Sequence, residues 1–84
     1  MRFRLTRHAE EELTLRSIPR HLLEQMLDNP QQIIAAQTGR KVCQSKLDFG
    51  DGRMFLMRAI VDDRVDPAVV ITVYRTSKID KYWR

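Results

Sequence analysis

The run Val69-Val70-Ile71-Thr72-Val73-Tyr74-Arg75 constrains this chain more than any other stretch. It is dense in β-branched and aromatic residues, so a strand is the regular structure that suits it. Alternation puts Val69, Ile71 and Val73 on an apolar face, with Thr72 and Tyr74 on the other. A strand of this kind needs a cover on its apolar face and is free to present chemistry on the opposite one. The run passes directly into Thr76-Ser77-Lys78-Ile79-Asp80-Lys81-Tyr82-Trp83-Arg84. There Arg75, Lys78, Lys81 and Arg84 recur every three residues, a spacing that suits phosphate contacts as well as a solvated, frayed end. Tyr82 and Trp83 carry too much apolar area for free fraying and are expected to lie against the sheet or a partner.

The remaining pattern supplies the cover. Thr6 stands where an N-cap would open a helix over Arg7 to Leu15, with Leu5, Ala9 and Leu13 as its apolar stripe. Ser17 reads as a second N-cap, Pro19 fits a first helical turn, and Leu22, Leu23, Met26 and Leu27 recur at helical spacing until Asn29-Pro30 ends the element. From there the character is β: a strand over Ile33 to Gln37, a turn at Thr38-Gly39-Arg40, and a strand over Val42 to Phe49. A hairpin turn at Gly50-Asp51-Gly52 follows, then a strand over Met54 to Val61 and the last over Ala68 to Arg75. The predicted fold is one α+β domain over residues 1–84, two N-terminal helices packed on a four-stranded antiparallel sheet. If the last two strands pair, Arg58, Thr72 and Tyr74 share the less covered face.

With Lys+Arg 15 against Asp+Glu 11, a formal charge of +4 and both ends basic, the chain favours polyanions as partners. At 84 residues it buries about 60 to 65% of its unfolded surface, a small core to which a partner or a homodimer would add stability. The lone Cys43 has no internal disulfide partner and reads as packing. The longest apolar stretch, Ala68 to Val73, falls far below the roughly 20 residues of a membrane span, so the expectation is a cytoplasmic protein without a membrane partner. Asp62, Asp63 and Asp66 beside Pro67 look like a turn and not a metal site.

The combination of Thr6-Arg7-His8-Ala9 opening the first helix, Arg16 and Ile18 leading to the second, Asn29-Pro30, and a sheet ending Ile71-Thr72-Val73-Tyr74 with a trailing Lys78 resembles the bacterial domain-of-unknown-function family 4258 (DUF4258). That family is similar in turn to the RelE/ParE-like toxins of the barnase- and colicin-like ribonuclease fold group. The resemblance implies an RNA-cleaving toxin with an antitoxin protein as partner, its substrate mRNA taken free or on the ribosome, although some ParE-like relatives act on DNA gyrase instead.

Metal-independent RNA cleavage needs a base for the 2′-hydroxyl proton, an acid for the leaving oxygen and a cation for the phosphorane charge. His8 is the residue type that titrates near neutrality, Arg16, Arg53 and Arg58 are candidate cations, and Thr72 and Tyr74 offer hydroxyls on the exposed strand face. Arg53, Arg75, Lys78, Lys81 and Arg84 are the candidate RNA-binding set. No metal and no cofactor enters this scheme. Glu12 lies four residues from both His8 and Arg16; it either orients the imidazole, competes with it as a base, or forms a structural bridge to Arg16. His21, beside Arg20, reads as a solvated side chain. The rival function is a non-catalytic module that binds RNA or protein through the same basic face.

Overall fold

The computed structural model describes residues 2–84 as β1 (Phe3–Leu5), α1 (Arg7–Leu15), α2 (Arg20–Asp28), β2 (Gln32–Ala35), a 3-10 turn (Gln37–Gly39), β3 (Lys41–Asp48), β4 (Met54–Asp62), β5 (Ala68–Thr76) and α3 (Ile79–Tyr82). The five strands form one mixed sheet in the order β1-β5-β4-β3-β2. β1 runs parallel to β5, and the other neighbours are antiparallel.

This corrects the expected two helices on a four-stranded antiparallel sheet. The extra strand pairs Phe3, Arg4 and Leu5 with Ala68, Val69 and Val70. Three alternating residues are too short to declare a strand locally; a partner at the far end of the chain supplies the ladder. The third helix, α3, is a single turn that folds over the sheet face opposite α1 and α2. Among the described residues, no helix is long and apolar enough to cross a membrane.

α1 and α2 cover one face of the sheet. Ala9, Leu13, Ile18, Leu23, Met26 and Leu27 meet Cys43, Met57, Ala59, Val61, Ala68, Val70 and Val73 in one buried cluster. The β5 residues in that cluster are not the alternating set Val69, Ile71 and Val73. Ile60 pairs with Thr72 and Val61 with Val70, so Ile71 is the extra residue of a bulge. The bulge reverses the phase of the strand: Ala68 and Val70 face the helices before it, and Val73 after it. On β4 alternation is regular, with Met57, Ala59 and Val61 in the core.

Two local devices place α1. At its start the Thr6 hydroxyl accepts from the amide of Ala9 at 3.1 Å and donates to the carbonyl of Ile71 at 2.8 Å. One threonine therefore caps the helix, a contribution of about 1 kcal/mol, and ties it to the bulge in β5. At its end Ser17, at φ 52°, plays the role expected of a C-terminal glycine and not that of an N-cap. The amide of Ile18 donates to the carbonyl of Leu13 at 2.9 Å and that of Ser17 to Thr14 at 3.3 Å, with Leu13 and Ile18 both buried. α2 then starts behind Pro19, which offers no side-chain cap.

Candidate functional site

The face of the sheet turned away from α1 and α2 is ordered in cross-strand rows. Gln32 pairs with Gln44, Gln44 with Arg58, and Arg58 with Tyr74, so one polar row crosses four strands. The neighbouring row is Ile34, Val42, Ile60 and Thr72, and the next on the other side contains Lys46, Leu56 and Thr76. Rows on one face are about 6.6 Å apart along the strands. Arg58, Thr72 and Tyr74 therefore share one face, Thr72 and Tyr74 by the regular alternation of β5 after its bulge.

His8 reaches this face from the first turn of α1. Its Nε2 lies 3.1 Å from the Thr72 hydroxyl, and 4.0 Å from the Glu12 carboxylate one turn on. Glu12 also binds the Nε of Arg16 closely. That bond from the Arg16 guanidinium, against a smaller opposing effect of burial, holds the Glu12 carboxyl below the usual carboxylate range. Glu12 is thus bridged to Arg16 and stands beside the imidazole, while Arg16 is committed to Glu12.

Arg58 is held differently. Its Nε donates to the Gln44 side-chain carbonyl at 2.8 Å and its Nη1 to the Tyr74 hydroxyl at 2.6 Å. The Tyr82 ring lies under the guanidinium at 4.2 Å from its centroid, and meets Tyr74 edge to face at 6.3 Å. All these partners are neutral. Among the described residues no carboxylate pairs with Arg58, so its charge is uncompensated although the side chain is half-buried. Because Tyr74 accepts from Arg58, its own hydroxyl hydrogen is left to point elsewhere. A fixed cation with spare N–H groups beside a phenolic donor is a built receptor for an oxyanion.

The C-terminal turn closes one side of the site. Gln44 donates to the carbonyl of Tyr82 at 3.2 Å, Gln32 to the carbonyl of Arg84 at 2.6 Å, and Lys46 stacks on Trp83 at 4.0 Å. Tyr82 and Trp83 lie against the sheet, as their apolar area predicts. Lys78, Lys81 and Arg84 belong to this turn and its flanks and border the outer face.

Arg53 and Arg75 are on the other side. Arg75 pairs with the buried Met57 and so faces the helices, resting over Phe49 at 4.8 Å and Phe55 at 4.7 Å. Arg53 lies 5.3 Å over Phe55 and 3.9 Å from Asp51. The ten candidate residues thus divide: His8 with Thr72 and Arg58 with Tyr74 form two contacts in neighbouring rows of one face, three cations border them, Arg16 is tied to Glu12, and Arg53 and Arg75 sit behind the sheet. Asp62, Asp63 and Asp66 pair with Arg64, Lys41 and Arg2 respectively. The Arg64 side-chain and backbone bonds bring the Asp62 carboxyl down to about 2. Burial pushes the Cys43 thiol up, consistent with a packing residue. Among the described residues, no group of His, Cys, Asp and Glu side chains converges as a metal site.

Gln32, Gln44 and Lys46 were not among the expected residues. Their signal was present as alternation: Gln44 and Lys46 stand two apart in β3, on the face opposite Cys43, Ser45 and Leu47. Only the register with Arg58 turns that alternation into a site.

Residues 5–75 match the family model described as domain of unknown function (DUF4258). No curated protein and no solved structure matches the chain.

Proposed function

The chain belongs to the DUF4258 family of domains of unknown function, and from that premise we propose that it is a toxin-like, metal-independent endoribonuclease of a toxin–antitoxin pair, taking single-stranded mRNA on the outer face of its sheet. What supports this reading is one juxtaposition: an uncompensated, fixed guanidinium, Arg58, one row from the His8–Thr72 pair. The resemblance of its sequence pattern to the RelE/ParE-like toxins points the same way, and the antitoxin and the ribosome belong to that part of the proposal.

In this reading Arg58 holds the scissile phosphate in ground state and transition state, and Tyr74 donates toward the same group. His8 Nε2, in the tautomer that leaves it a lone pair, accepts from the Thr72 hydroxyl; the 2′-hydroxyl gives its proton to Thr72 Oγ1 as Thr72 passes its own to Nε2. The 2′-oxygen then bonds to phosphorus, the bond from phosphorus to the 5′-oxygen breaks, and Tyr74 gives its proton to that leaving oxygen. The resulting phenolate is stabilised by Arg58 Nη1 until solvent returns the proton from His8. Glu12 and Arg16 hold the position of the helix edge that carries the imidazole. Lys46, Lys78, Lys81 and Arg84 guide the flanking phosphates.

The test is His8→Ala in cells and in vitro. Proton transfer acts only in the transition state, so this variant is expected to lose about 10²-fold or more of RNA cleavage, and growth inhibition with it, while binding RNA within a few fold of wild type. A wild type that neither cleaves RNA, with or without ribosomes, nor differs from His8→Ala in cells contradicts the catalytic reading and leaves the binding module.

A further inference from the structure

We infer that Gln44 is the positioning residue of the Arg58 site and that it couples that site to the docking of the C-terminal turn; the inference rests on the reading of Arg58 as the phosphate-holding cation. Gln44 is completely buried, at 0% exposure, on a sheet face whose neighbouring rows carry Val42, Ile60 and Leu56. A buried amide must have its donors and acceptor matched, and here every bond has a direction. Its Oε1 accepts from Arg58 Nε at 2.8 Å, and its Nε2 donates to Gln32 Oε1 at 2.7 Å and to the Tyr82 carbonyl at 3.2 Å. Turned over, the amide would set its NH2 against an N–H of Arg58 and its oxygen against two other oxygens. Gln32 is fixed in the same way by Arg84, whose amide donates to Gln32 Oε1 at 3.2 Å and whose carbonyl accepts from Gln32 Nε2 at 2.6 Å.

The polarity of the whole chain is therefore set, from the Arg84 main chain through Gln32, Gln44 and Arg58 to the Tyr74 hydroxyl. An arginine on a surface would lose rotamer freedom when it met a phosphate; Arg58 loses it on folding, because Gln44 and Tyr82 hold its guanidinium in place. Neutrality is the second contribution. An amide orients the guanidinium without cancelling its charge, which a glutamate at the same position would do.

The experiment measures binding of a labelled single-stranded oligouridylate by the full chain at several salt concentrations, for wild type, Gln44→Glu, Arg58→Gln and the double variant. Gln44→Glu keeps the acceptor for Arg58 but adds the opposing charge. It is expected to weaken binding at least tenfold at low salt, to reduce the salt slope by about 0.7, the value of one phosphate on a single strand, and to add nothing in the Arg58→Gln background. Should Gln44→Glu not fold, Gln32→Leu at the edge of the sheet loosens the same chain from its far end and is expected to weaken binding at least threefold, again only while Arg58 is present. A role confined to stability would lower affinity equally in both backgrounds, and that result, or wild-type affinity in both variants beside a weak Arg58→Gln, overturns the inference alone. Arg58→Gln binding as wild type removes the underlying reading instead.

Discussion

Arg58 and Arg75 lie on opposite faces of the same pair of strands, and both rest on aromatic rings without a carboxylate partner among the described residues. Arg58 is fixed by two side-chain hydrogen bonds and a ring, whereas the Arg75 side chain has the rings of Phe49 and Phe55 and no hydrogen bond to any described residue. The second arrangement is what a long side chain does when its stem covers the rim of a core and its head stays wet. The first is an arginine held in one orientation by neutral groups, which leaves its charge for something else. The contrast teaches that an unpaired cation marks a site only when its surroundings also restrict it. It also separates two groups of candidates that charge alone had merged.

The largest effect that could break this contrast is on activity. Arg58→Gln is expected to reduce RNA cleavage and growth inhibition by about 10²-fold or more, in line with the loss of a preorganised electrostatic contact, and Arg75→Gln by less than about threefold. Equal losses from the two variants in a cleavage assay would mean that the hydrogen-bonded framework around Arg58 confers nothing.

A second test concerns stability and the tail. Removing Lys81 to Arg84 strips Tyr82 from Arg58 and leaves the buried Gln44 without the carbonyl it donates to. An unmatched buried polar group costs roughly 2 kcal/mol, which for a chain of this size lowers Tm by on the order of 10 °C in a thermal melt. Arg75→Gln, on the wet rim, is expected to move Tm by no more than a few degrees, about the effect of an ordinary surface change. An unchanged Tm after truncation would mean that the turn is an independent arm.

The smallest effect lies where charge is paired. Asp62, brought down to about 2 by Arg64, has a folded pKa below its ordinary value of 3.8, so its contribution to stability is present above that value and is lost as pH falls toward 2. Asp62→Asn should therefore lower Tm slightly near neutrality, with the difference from wild type closing between about pH 4 and pH 2; the pair is exposed, so the difference is small. A difference that persists unchanged at pH 2 would show that the variant acts through something other than this charge.

Much of this arrangement was legible in the residues, and the parts that were not share a cause. Thr6, the Asn29-Pro30 stop and the Gly50-Asp51-Gly52 turn act locally, so the bounds of α1, the end of α2 and the β3–β4 hairpin could be read directly. That Arg58 and Tyr74 share a face followed from the alternation of two neighbouring strands, whereas their standing opposite one another is set by the register. β1 did not, because its ladder is with a strand at the other end of the chain. The inward face of β5 was misassigned because one bulged residue, Ile71, reverses alternation and no composition signal marks it. Ser17 looked like a cap because serine usually caps; the left-handed turn that it adopts is set by the burial of Leu13 and Ile18 together. The Gln32–Gln44 pair needed the register of three strands before it had meaning.

The most direct measurement of the central claim is the affinity of the full chain for a labelled single-stranded RNA across a range of salt, for wild type, Arg58→Gln and Arg75→Gln. The account predicts steep salt dependence in wild type, an affinity at least tenfold weaker and a salt slope shallower by about 0.7 for Arg58→Gln, and near wild-type behaviour for Arg75→Gln. Salt-independent binding, or an Arg58→Gln curve superimposed on that of wild type, would contradict it.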